Sequence, residues 1–79
     1  MRPIPAGELQ VGDVFYREVY RPPDPARDMR YTVRSLRRAR LMGYYGEHHE
    51  RVHVEAIGHV TGRRVLDLGV DERVWLADG

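Results

Sequence analysis

The 79-residue chain predicts an all-β fold, a small five-stranded barrel. Three features lead there. Apolar and polar residues alternate over "RVHVEAIGHV", residues 51–60, with the period of a strand that has one wet side. Runs rich in β-branched and aromatic residues are bounded by Gly, Pro and Asp. The connections are a long irregular loop after the first run, a medium loop after the second, a tight hairpin after the third and a short turn before the fifth.

The elements follow in order. Val11-Gly12-Asp13 is a turn entry, and "DVFYREVY", Asp13 to Tyr20, is the first strand. "RPPDPARDM", residues 21–29, holds three prolines and two aspartates, which exclude a strand or a helix interior. "RYTVRSLRRARLM", Arg30 to Met42, resumes the strand signal with Tyr31 and Val33 on one face. Leu36 breaks that alternation, and a bulge near Ser35 accounts for it. Good helix formers in "RSLRRARLM" leave a helix as the competing reading there. "GYYGEHHE", residues 43–50, reads as a polar loop. The third strand covers residues 52–60, with Val52, Val54, Ala56, Gly58 and Val60 on one face and His53, Glu55, Ile57 and His59 on the other. Thr61-Gly62 is the hairpin turn, "RRVLDLG" the return strand, "VDER" a polar turn and "VWLA", Val74 to Ala77, the last strand. Trp75 in that strand is expected in the core. The chain is expected to be one domain over residues 1–79, flexible at residues 1–10 and 78–79.

This loop schedule is that of an SH3-like barrel, which limits exposed sheet edges by curling the sheet closed. The chain resembles the N-terminal SH3-like (KOW-type) domain of bacterial elongation factor P. In that family an L-x-x-G opening, a Y-x-V in the second strand, a T-G hairpin and an acidic turn before the last strand recur. Here these are Leu9 with Gly12, Tyr31 with Val33, Thr61-Gly62, and Asp71-Glu72 before Val74. The family's glycine-flanked lysine after the second strand has no counterpart, because "GYYGEHHE" stands there and the chain has no lysine. Its other two domains have no counterpart in these 79 residues. The resemblance therefore implies a fold rather than an activity.

Composition narrows the function. A chain of this length buries only about 60% of its unfolded surface, so its core is thin. The net charge of +1 gives no overall pull toward nucleic acid or membrane. The absence of cysteine excludes disulfides and thiolate metal sites. No apolar run has the length of a signal core or a membrane span, so cytoplasmic residence and no membrane partner are expected. All thirteen basic residues are arginine. Their spread along the chain favours a coding bias over selection for bidentate contacts.

Four patterns carry chemistry. "HERVHVEAIGH", residues 49–59, matches H-E-x-x-H through His49, Glu50 and His53, with His59 where a metzincin has its third ligand. A zinc protease needs a helix there, so that His49 and His53 reach one ion and Glu50 acts as base. Clustered β-branched residues and Gly58 favour a strand, in which the two histidines stand about 13 Å apart. Ala56 holds the place of the metzincin glycine, and no methionine follows Met42 to make the downstream turn. His48 and His49 with a ligand from another loop are a separate, non-catalytic metal candidate. The second pattern is basic: Arg34, Arg37, Arg38 and Arg40, with Arg63 and Arg64 at the hairpin and Tyr44 and Tyr45 to stack bases. Arginines beside exposed aromatics on a small barrel suit RNA or DNA. A solvated face balanced by Glu47, Glu50 and Glu55 is the bland alternative. The third is the 21–29 loop with Tyr16 and Tyr20, which suits an extended peptide of a protein partner. The fourth is negative: there is no Gly-rich phosphate loop, and Ser35 is the sole serine, so neither a cofactor nor a hydrolase triad is expected. The reading is a non-catalytic binding module, nucleic-acid- or ribosome-associated, with a protein-interaction module as the alternative and a zinc protease as a minor one.

Overall fold

The computed structural model describes residues 1–77; the expectation for residues 78–79 lies outside them. Six strands form one antiparallel sheet: β1 (Arg2–Pro5), β2 (Val14–Arg17), β3 (Arg30–Met42), β4 (His48–Gly58), β5 (Gly62–Gly69) and β6 (Arg73–Leu76). Their order in the sheet is β1-β6-β2-β3-β4-β5. β1 and β5 are its two edges and do not pair with each other, so the sheet is open rather than closed into a barrel.

The all-β expectation holds, and all five expected strands are present as β2 to β6. The sixth, β1, falls in the expected flexible N-terminus. Its signal is masked by Pro3 and Pro5, which lack the N–H a strand interior needs but are tolerated on an edge. It pairs from Arg2 opposite Leu76 to Pro5 opposite Arg73. The 3-10 turn over Ala6–Glu8 then drops into the sheet. Ala6 N–H donates to Glu72 O at 2.8 Å, and Gly7 N–H to Val70 O at 2.9 Å. The approach is so close that a Cβ on Gly7 would lie 2.7 Å from Val70 Cγ1.

The core lies on one face of the sheet. Phe15, Val33, Val54, Leu68 and Val74 are fully buried there, joined by Ile4, Ala6 and Leu9 from the N-terminal segment. Phe15 stacks on Tyr31 at 5.5 Å. The expected alternation of β4 is realised over Val52, Val54 and Ala56, all buried, while Arg51, His53, Glu55 and Ile57 on the other face are half-buried. β3 is a strand throughout, and the expected bulge is present. Val33 pairs with Ala56 but Ser35 with Glu55, leaving Arg34 as the extra residue. That single insertion brings Leu36 back to the core side, opposite Val54.

Several boundaries differ from expectation. β2 stops at Arg17, ahead of the proline loop. The loop expected at 43–50 shrinks to 43–47, because His48–Glu50 pair with Arg40–Met42. β4 ends at Gly58 rather than residue 60, and Val60 is exposed in the turn. That turn spans residues 59–61, and Gly62 at φ 74° gives the left-handed conformation that closes it. Trp75 is half-buried rather than in the core. Its Nε1–H donates to Glu18 Oε2 at 2.7 Å, and Arg73 grips both Glu18 oxygens at 2.7 Å. The Arg73 contact, then the Trp75 hydrogen bond, hold the Glu18 carboxyl below the usual carboxylate range.

Candidate nucleic-acid interface

The longest feature of the molecule is the β3–β4 hairpin. β2 pairs with β3 only over Arg30–Thr32, and β5 reaches β4 only from Arg51 onward. Arg34–Met42 therefore has an open edge, and residues 41–49 stand as a bare two-stranded ribbon beyond the Val70 N–H to Glu50 O bond at 3.2 Å. The ribbon contributes to the 42 Å long axis of a molecule whose other extents are 24 and 19 Å.

The tip is ordered by its own backbone. Gly43 N–H donates to Glu47 O at 2.7 Å, and Gly46 N–H to Gly43 O at 3.1 Å. Gly46 takes φ 82°, which other residues rarely adopt. The Glu47 carboxylate folds back over the turn and accepts the Tyr45 N–H at 3.0 Å. Its pKa is lowered, first by its own backbone N–H and then by His49. This scaffold presents Tyr44 at 94% exposure and Tyr45 at 88%, with ring centroids 5.0 Å apart and planes at 83°. Edge-on packing turns the two ring faces in different directions. Leu41 and Met42 beside them are also exposed. Neither was singled out from sequence, although "LMGYYG" is a visible run of apolar and turn residues. A two-stranded ribbon has no second layer to bury such side chains against.

The arginines separate by face. After the bulge, Arg38 pairs opposite Val52 and Arg40 opposite Glu50, on the side that faces the core further along. Arg38 Nη2 donates to Gly7 O at 2.7 Å, and Arg40 Nη2 meets Glu50 Oε1 at 3.4 Å. Arg37 lies on the opposite face beside His53, at 3.4 Å from its Nδ1. Arg34, the bulge residue, is exposed and has no hydrogen bond or ion pair among the described residues. Arg51, which the sequence reading passed over, joins this hairpin but is held by Asp67 at 3.0 Å. Arg63 and Arg64 do not join it. They sit opposite Ile57 and Ala56, about 30 Å along β4 from the tip at 3.3 Å per residue. From Arg34 to Arg51 the hairpin holds five arginines and two glutamates, a net +3. The chain totals +1, so the remainder is −2. The near-neutral whole conceals a hairpin that is basic at its base, where Arg34, Arg37, Arg38 and Arg51 lie, on an acidic remainder.

The zinc-signature residues are dispersed. His49 and His53 both lie in β4, four residues apart along an extended strand, so the helical face a shared ion needs is not formed. Each has separate company: His49 lies 3.4 Å from Glu47, His53 3.5 Å from Asp67, and His59, in the turn, 3.3 Å from Arg30. Glu50 faces Arg40. Among the described residues no three His, Asp or Glu side chains converge on a common point. His48 and His49, neighbours on a strand, point to opposite faces.

The 21–29 loop is closed on itself. Asp28 receives both Arg21 guanidinium nitrogens at 2.7 and 3.1 Å and the Asp24 N–H at 2.6 Å. Arg21, first, and then the Asp24 N–H pull the Asp28 pKa down. Pro23 is buried. The two tyrosines expected to flank a peptide groove are split, with Tyr16 buried at 5% exposure and Tyr20 open at 96%. No family model, no curated protein and no solved structure matches this chain.

Proposed function

We propose that the chain is a non-catalytic nucleic-acid-binding module whose contact element is the β3–β4 arm. The observation that carries this reading is the coincidence, on the one hairpin from Arg34 to Arg51, of a net +3 charge gathered at its base and two solvent-facing tyrosine rings at its tip. Arginines give phosphate contacts, and exposed rings give stacking surfaces that every base satisfies. Arg34 and Arg37 are the freest to reach phosphate, while Arg38 and Arg40 have intramolecular partners to exchange. The β6-β2-β3-β4-β5 portion of the strand order supports an SH3-like scaffold, in keeping with the resemblance to elongation factor P. The reading carries a cytoplasmic location, where RNA or DNA is met.

The test uses the whole chain with single-stranded RNA and DNA oligonucleotides at low salt. Amide shifts are expected across residues 34–51 and little elsewhere. Log affinity is expected to fall linearly with log salt, by about 0.7 per phosphate engaged. Y44A/Y45A is expected to weaken binding about 10- to 100-fold, as loss of base stacking does. Absence of any shift or gel retardation with either nucleic acid refutes the reading.

A second reading rests on the Asp28-closed loop, which holds Val19 and Tyr20 exposed beside a shallow depression lined by Arg17 and Arg21. A rigid, partly apolar rim suits an extended peptide. This reading expects a protein partner that survives nuclease treatment in a pull-down and is lost on Y20A.

A further inference from the structure

The open sheet leaves three edges, and the sequence treats them differently. β1 carries Pro3 and Pro5, which withhold the N–H groups an added strand would need. The free stretch of β3, Arg34–Met42, holds four arginines and no acid, so a second copy laid against it would meet its own charge. β5 has neither defence. Among the described residues no backbone hydrogen bond reaches Gly62–Leu68 from the side away from β4. Val65, at the middle of its outer face, is 71% exposed. On that same face Arg63 stands two residues before Val65 and Asp67 two residues after it.

This arrangement is self-complementary under a two-fold axis. An antiparallel pairing centred on Val65 sets Val65 against Val65 of the partner subunit. It sets Arg63 against Asp67 of the partner subunit, and Asp67 against Arg63 of the partner subunit. On the inner face it lays the Arg64 stem over Leu66 of the partner subunit. Every cross-strand pair on the outer face is then apolar with apolar or opposite in charge, which stabilises a ladder. A two-fold interface of this kind uses one patch twice and closes without forming a fibre. We propose that β5 pairs with β5 of a second copy of this chain, joining two sheets into one continuous sheet across the dimer axis. The present partners do not block it. The Arg63 side chain is held only by Glu55 at 3.6 Å, and the Asp67 carboxylate takes Arg51 and His53 on Oδ1, which leaves Oδ2 for a new donor. The Asp67 and Arg63 carbonyls accept exposed guanidinium donors, Arg51 Nη2 and Arg64 Nη1, each at 3.2 Å, which the partner strand's N–H groups would replace.

The experiment is sedimentation velocity of the whole chain from micromolar to millimolar concentration, on the wild type and surface variants of β5. The expected result is a mass that rises from 9.2 kDa toward twice that value with concentration. V65K places two like charges on the axis and is expected to give a monomer throughout. R63D and D67R are each expected to weaken the dimer about tenfold, because two cross-strand pairs become repulsive, and R63D/D67R together to restore it. Amide exchange on the wild type supplies a check that needs no variant: alternate amides of Gly62–Leu68 are expected to gain protection as the dimer fills. A wild-type mass of 9.2 kDa at every concentration overturns the proposal. So does a dimer that V65K leaves intact, one that the double exchange fails to restore, or one that forms without protection on β5.

Discussion

β4 is two different objects along one strand. From Arg51 to Gly58 it lies between β3 and β5, and Val52, Val54 and Ala56 are at 3% exposure or less. At His48 and His49 it has β3 alone, and both residues are exposed. The backbone continues unchanged from one part to the other. What differs is the number of neighbours, because an isolated two-stranded ribbon has no layer to bury a face against. The body is therefore held by packing and the arm by turn hydrogen bonds, and substitutions in the two should have opposite signatures.

The largest effect is expected in the body. Phe15 is fully buried and stacked on Tyr31, so F15A should cost about 3–5 kcal/mol, enough to threaten a domain this small. Y44A/Y45A, by contrast, should shift stability by less than about 0.5 kcal/mol while reducing binding. Urea unfolding of both variants measures the contrast, and equal losses of stability would mean that the tip packs on something.

Acid titration sharpens the same comparison at the junction of β2 and β6. Arg73 and Trp75 lower the Glu18 pKa in the folded protein. The unfolded chain therefore takes up the proton first as pH falls. The stability Glu18 contributes is full above its unfolded pKa of about 4.3 and declines as pH drops toward the lower folded value. E18Q should be less stable than wild type near neutrality, with the difference shrinking below about pH 4. Thermal melts between pH 7 and 3 read this directly, and a difference independent of pH would exclude the ion pair as its cause.

The smallest effect is expected at Glu50. Its pair with Arg40 is 3.4 Å long, with both side chains more than half exposed, and such pairs contribute little. E50A should unfold within about 0.5 kcal/mol of wild type and bind nucleic acid equally or slightly better, since it removes one negative charge from the arm. A loss of function would revive a role for Glu50 as a base.

Much of the fold was legible in local pattern. The β4 alternation named Val52, Val54 and Ala56 as inward and His53 and Glu55 as outward, because successive side chains of a pleated strand point to opposite faces wherever it lies. The misplaced Leu36 announced the bulge for the same reason. The dispersal of His49 and His53 likewise followed from choosing strand over helix, a choice that β-branched residues and Gly58 made locally. Other features were invisible because they depend on residues distant in the chain. β1 exists because Val74 and its neighbours offer it a partner, against the discouragement of two prolines. The open edge of β3 and the bareness of the arm arise because β2 and β5 end where they do, and no pattern within residues 34–50 encodes a neighbour's length. The separation of Arg63 and Arg64 from the other arginines follows from strand register, which folds positions near in sequence logic to opposite ends of one sheet. Residue type and periodicity determine what a segment can be. Which of its faces and edges remain free is decided only when long-range pairing has used up the others.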